Sequence, residues 1–165
     1  MRLVGTYFTR GPGGERIVLA RNLVPTQGRE YFLNAGIKGT GGTTNFYIAI
    51  FSGAVTPVDG WTAANFTANS SEIVSDVEGY TGAVRPAWTH GAVAAGVVGN
   101  AAALAQYNIV ATGSINIEGA ALLTSATRGG TAGVLISAAR FPSPYTIANG
   151  ATYDLGYELE LVDGD

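Results

Sequence analysis

From residue 152 to residue 161 apolar and polar side chains change places at every step. Tyr153, Leu155, Tyr157, Leu159 and Leu161 alternate with Thr152, Asp154, Gly156, Glu158 and Glu160. A period of two is that of a strand with one buried and one wet face, so residues 151–161 predict a strand. Asn149 and Gly150 just before it form a tight-turn pair, and the run from Phe141 to Tyr145, with Pro142 and Pro144, predicts a corner. Residues 103–111, 114–117, 120–126 and 133–141 read as further strands, as do residues 16–20. Residues 46–51 are apolar without a break, which suits a strand buried on both faces. Residues 85–89 predict an edge strand, because Pro86 has no N–H to give to a ladder.

Helical spacing is confined to two places. After Pro25, Thr26 predicts an N-cap, and Tyr31, Phe32, Ala35 and Gly36 share one stripe of a helix over residues 27–37, stopped by Lys38 and Gly39. Residues 61–66 predict one or two helical turns capped by Thr62. Residues 1–15 end in a run of glycine and proline, which predicts a flexible N-terminal arm. Residues 16–165 then form a single domain. Short strands at this spacing, without alternating helices, predict an all-β fold: an antiparallel β-sandwich or jelly roll with one short helix near residues 27–37.

Composition turns attention away from chemistry. The 165 residues include no cysteine, one histidine (His90) and one lysine (Lys38), against 24 glycines and eight tyrosines. Acid–base, covalent and transition-metal catalysis draw mostly on the residue types missing here. Charged residues are 13% of the chain, about half the usual share, while 47% are hydrophobic. Much of the surface is therefore expected to be covered by neighbours or held polar by Ser, Thr, Asn and Gly. A net charge of -3 argues against nucleic acid as a partner. No stretch is long and apolar enough to predict a membrane span or a secretory signal, so the expectation is a protein made in a cytosol.

Each candidate site has a bland reading that fits better. His90 has no second histidine or cysteine with which to share a metal. The glycines from Gly36 to Gly42 place Lys38 before them and a strand after them, the reverse of a phosphate loop. Glu72, Asp76 and Glu78 lack the density of a calcium loop. Glu158 and Glu160 share a wet strand face, which keeps a sheet soluble more simply than it hydrolyses a glycoside. No catalytic residue, metal or cofactor is predicted. Trp61 and Trp88, each flanked by proline or glycine, read as packing or interface anchors.

Several segments look familiar together: residues 22–28, 46–53, Thr56 and Pro57 with 61–66, Gly79 to Thr81, 85–88, and 133–141. The series resembles the head decoration, or cement, proteins of tailed bacteriophages, which have a jelly-roll fold. The resemblance spans about residues 22–161, and its motifs are packing and turn signatures. It implies a virion structural protein on the outer surface of the head, a non-enzyme that stabilises contacts between capsomers. Its partners would be the major capsid protein and itself, as a homodimer or homotrimer, with no nucleic acid or membrane. Tyr7, Phe8 and Arg10 of the arm, with Trp61 and Trp88, are the expected contacts. Deleting residues 1–15 is then expected to weaken capsid association and leave the fold intact. The alternative is a carbohydrate-binding or host-recognition module of a tail fibre or baseplate, with Trp61 or Trp88 stacking on sugars.

Overall fold

The computed structural model describes residues 2–163. Two antiparallel sheets pack face to face in an all-β sandwich with two helices. One sheet has the order β2-β1-β9-β6-β4, with β5 also paired to β9. Its strands are β1 (Arg2–Arg10), β2 (Arg16–Arg21), β4 (Gly79–Tyr80), β5 (Val97–Gly99), β6 (Ala105–Val110) and β9 (Thr152–Val162). The other sheet has the order β3-β7-β8, from β3 (Tyr47–Phe51), β7 (Ser114–Leu123) and β8 (Leu135–Ala148). This order establishes a sandwich; it does not by itself spell out jelly-roll connectivity.

The N-terminal arm is a correction. Residues 2–10 form β1, which lies inside the larger sheet, hydrogen-bonded to β2 on one side and β9 on the other. Its consecutive apolar pair explains why. Tyr7 points into the space between the sheets, and its hydroxyl meets Ser137 Oγ of β8 at 2.8 Å. Phe8 points the opposite way and lies over Gly156, where a Cβ would sit 2.3 Å from the ring. The Arg16 guanidinium covers that ring at 4.2 Å. A segment buried on both faces is not an arm. Residues 11–14, the glycine-rich run, are the turn of the β1–β2 hairpin, with Gly14 at a positive φ of 81°. Met1, at one end of the expected arm, and Gly164 and Asp165, at the end of the expected domain, lie outside the described residues.

The main core lies between the sheets and holds Tyr7, Ile48, Ile50, Tyr107, Ile117, Leu122, Ile136, Leu155 and Tyr157. A second core lies on the far side of the smaller sheet, where Trp61 and Phe66 cover Ala49, Phe51, Ala121 and Leu123. The unbroken apolar run of β3 serves both cores, Ile48 and Ile50 on one face and Ala49 and Phe51 on the other.

Two helices finish the structure. α1 (Thr26–Gly36) starts one residue earlier than expected, with Pro25 at the N-cap. Gly28 lets it lie against β8: a Cβ there would be 2.4 Å from the Ile136 carbonyl oxygen. Gln27 Oε1 accepts hydrogen bonds from the Leu135 N–H (2.8 Å) and the Ala63 N–H (2.9 Å), tying α1 to β8 and to the start of the second helix. That helix, α2 (Ala63–Ser70), is longer than the one or two turns expected and is capped by Thr62, whose N–H donates to Asn65 Oδ1 at 2.8 Å. Residues 85–88 run beside β3 through single bridges rather than as a full strand. The expected corner at Pro142 and Pro144 lies within β8, at a register shift where residues 141–144 stand opposite Glu118 alone, so neither proline has to give an N–H to a regular ladder.

Candidate docking surface

Four of the five expected contact residues are inside the molecule. Tyr7, Phe8, Trp61 and Trp88 are 0%, 1%, 4% and 5% exposed. Trp61 packs on Phe51 and Phe66, and Trp88 donates Nε1–H to the Tyr157 carbonyl at 2.9 Å. None of the four can anchor a partner without unfolding the chain, and this corrects the expectation. Arg10 alone is exposed, and its guanidinium donates to the carbonyls of Gly14 (2.8 Å) and Ala101 (2.9 Å).

The polar candidates are likewise committed to structure. Glu158 is ion-paired with Arg16 at 3.0 Å. The Glu78 carboxylate accepts from the Thr112 N–H and hydroxyl. Glu72 is wholly buried in a forked pair with Arg85, at 2.7 and 2.8 Å, and also accepts from Thr67 Oγ1 and the Gly129 N–H. This pair pins residues 67–72 and 85 to the loop after β7. His90 is exposed, and its Nδ1 lies 3.1 Å from the Gly91 carbonyl oxygen. Among the described residues no three His, Cys, Asp or Glu side chains converge as a metal site would need, and no helix is long and apolar enough to cross a membrane.

What the sequence reading missed is a groove at one end of the sandwich. It is about 690 Å³ in volume and is formed by the start of β1, the end of β2, the segment 22–24, α1 and the end of β9. Leu3, Leu23, Phe32, Leu33 and Leu161 supply its apolar surface, and Arg2, Arg21 and Arg29 its charge. Among the described residues no carboxylate lines it. Leu33 and Leu161 are 62% and 45% exposed, large apolar side chains at the lip of a concavity.

The local sequence explains the groove. Apolar positions of β9 continue to Leu161, paired with Leu3, although the core beneath them has ended, so Leu159 is buried and Leu161 is not. α1 covers this end only in part, with Tyr31 and Phe32 turned inward and Leu33 outward. Arg29 is held in place: its Nη1 and Nη2 bond Asp59 Oδ1 and Oδ2 at 2.9 and 3.0 Å, and Nη1 also donates to the Val24 carbonyl. That bonding holds the Asp59 carboxyl below its ordinary range and raises Arg29. Among the described residues neither Arg2 nor Arg21 meets a carboxylate. Three of the chain's eight arginines thus stand on one apolar groove in a molecule of net charge -3. A second, shallower groove of about 500 Å³ adjoins it through Arg21, Asn22 and Leu23 and runs along β8 to Arg140 and Pro142.

The exposure of Leu33 was legible in the helical spacing, since it falls outside the stripe of Tyr31, Phe32 and Ala35, whereas Leu161 was expected on the buried face of its strand. Their meeting with Arg2 and Arg21 was not, because it depends on residues 2–4 being a strand. Comparison of the chain with known protein families and with curated proteins finds no match.

Proposed function

We propose that this chain is a structural docking subunit, a capsid decoration protein that binds the outer surface of a phage head and bridges its capsomers. The observation that carries the reading is the arginine-lined apolar groove on a rigid double-core sandwich. A groove so placed presents apolar area together with the positive charge of Arg2 and Arg21, which meet no carboxylate among the described residues, and that combination gives a contact both affinity and orientation. The scaffold behind it is tied across by Tyr7 to Ser137, by Tyr107 to the Ile48 carbonyl and by the buried Glu72–Arg85 pair. A stiff body loses little conformational freedom on binding, and repetition on a lattice multiplies a modest contact into firm retention. Binding to the expanded lattice alone stabilises that lattice by mass action.

The resemblance in residues 22–161 supports the same reading. A sugar-binding module is less well supported: it needs an exposed aromatic platform, and Trp61 and Trp88 are both in cores. A glycosidase pair at Glu158 and Glu160 is weakened by the Arg16 ion pair on Glu158.

The test is to mix the purified chain with expanded heads that lack decoration and sediment them. Saturable co-sedimentation, with heads that survive a higher temperature, is the expected result. Absence of binding to expanded heads would remove the reading.

A further inference from the structure

The groove has a backbone as well as a lining. β1 is paired to β9 from Arg2 to Phe8, but to β2 only from Thr6 to Arg10. Past that point Asn22 takes over for a single residue: its N–H donates to the Gly5 carbonyl at 3.0 Å, and its Oδ1 accepts from the Gly5 N–H at 2.7 Å. Glycine is needed there, since a Cβ would sit 2.2 Å from the Tyr157 hydroxyl and 2.6 Å from the Asn22 amide. Both backbone groups of Gly5 thus face the β2 side. In an antiparallel strand that orientation recurs every second residue. The N–H and C=O of Leu3 therefore face the same way, and among the described residues no strand continues the pairing past Gly5. Leu3 lines the groove. The floor of the groove includes a short open strand edge.

Side-chain parity fixes what would fit. Leu3 is paired with Leu161, and both lie on the inner face with Tyr157 and Leu159. Arg2 is paired with Val162 and Arg21 with Thr6, positions that share the outer face with Phe8 and Glu158. A strand added beside Leu3 would place one residue inward, against Leu33, Phe32 and Leu161. Its two neighbours would point outward, toward Arg2 and Arg21. The inward residue should be apolar and the flanking ones acidic.

We infer that the groove binds an extended acidic–apolar–acidic segment of the partner by strand addition to β1, with Leu3 supplying the backbone hydrogen bonds. The inference rests on the decoration reading for the identity of the partner, but not for the chemistry of the segment. Strand addition of this kind takes affinity from main-chain bonds and selectivity from alternate side chains. Three paired residues are few, so the arginines and the leucine lip must supply the rest. Arg29, already held by Asp59, sets the wall on the helix side rather than a binding charge. Glu160 shares that outer face on β9, one strand beyond β1 from the open edge, so Arg2 and Arg21, on the two strands nearer that edge, set the charge that the flanking residues meet.

The experiment uses the full chain, expanded undecorated heads, and capped seven-residue peptides with Asp-Leu-Asp at the centre. Arg21→Glu and Leu33→Asp alter exposed side chains, and their unfolding midpoints should match the parent. Each should lose about tenfold or more in head affinity, the size expected for removing or reversing one good contact. The Asp-Leu-Asp peptide should compete with heads; its Lys-Leu-Lys counterpart and a version N-methylated at leucine should not. Competition by the N-methylated peptide would overturn the strand-edge geometry. Heads bound equally by both variants would overturn the groove assignment and leave the decoration reading standing. A parent chain that ignores heads but binds the Asp-Leu-Asp peptide would do the reverse. A parent dimer in sedimentation that Leu33→Asp dissolves would assign the groove to a second copy of the chain and overturn the inference.

Discussion

Removal of residues 2–10 should abolish the fold, although a surface arm could be cut away at no cost. β1 carries Tyr7 and Phe8, both essentially without solvent contact, one in the main core and one over Gly156. Truncating a buried aromatic to alanine costs about 3–5 kcal/mol, so losing both side chains costs about 6–10 kcal/mol before any backbone bond is counted. Deletion also strips the ladders to β2 and β9 and leaves the Ser137 hydroxyl without its 2.8 Å partner. Domains of this kind have about 5–15 kcal/mol of stability in all. The deleted chain should show no cooperative urea transition by tryptophan fluorescence, and Trp88, bonded to Tyr157 of the neighbouring strand, should be solvent-quenched from the start. A milder probe is Tyr7→Phe, which removes only the bond to Ser137. It should lower stability by about 1–2 kcal/mol and the urea midpoint by about 0.5–1 M. A truncated chain with the parent's midpoint would refute the placement of β1 in the sheet.

Three further outcomes follow from the interior. Burial raises Tyr7, Tyr107, Tyr153 and Tyr157 above the ordinary tyrosine value of 10.0 and brings Tyr80 to about 12. The fold therefore holds protons that the unfolded chain releases. Stability should be complete below pH 10 and fall as pH rises toward the folded values, by up to about 1.4 kcal/mol per pH unit for each tyrosine. Tyrosinate absorbance for these five should appear together with loss of near-ultraviolet circular dichroism, and ionisation without that loss would contradict the packing. Glu72→Gln leaves Arg85 charged in a site of zero exposure and should cost about 3–5 kcal/mol in thermal unfolding, with much of the loss recovered when Arg85→Met is added. Gly119→Ala would put a Cβ 2.2 Å from the Phe51 ring and 2.3 Å from the Ala139 carbonyl, and should cost about 1–3 kcal/mol, whereas Gly113→Ala meets nothing and should be neutral.

The sequence was most readable where one face is wet. The alternation of β9 gives its extent to within a residue, and the Asn149–Gly150 pair marks the β8–β9 turn, with Gly150 at a φ of 79°. The unbroken apolar run of β3 was legible too, and the sequence was least readable at β1 and where the ladder is irregular. β1 has Val4, Thr6, Tyr7, Phe8 and Thr9, good strand formers without alternation, and the glycine-rich turn behind it read as the end of an arm. The signal that could have found it is the hairpin itself: two β-rich runs around a glycine turn. A register shift between Ile117 and Gly119 divides β7 on paper, though it is one strand in space. The two tryptophans, expected as interface contacts, anchor the cores instead. No local pattern could show the groove, because Arg2, Arg21 and Leu161 are joined only by the β1–β2 and β1–β9 registers.

The central claim is that function lies in this groove, turned toward the head surface that the proposed role assigns to it. The most direct measurement is an image of expanded heads saturated with the chain, at a resolution that orients the sandwich. The account predicts density on the outer surface at the seams between capsomers, with α1 and the Arg2–Arg21 end against the lattice and the β8–β9 turn at Asn149 and Gly150 away from it. Heads without added density, or sandwiches seated with Leu33 and Leu161 facing solvent, would contradict it.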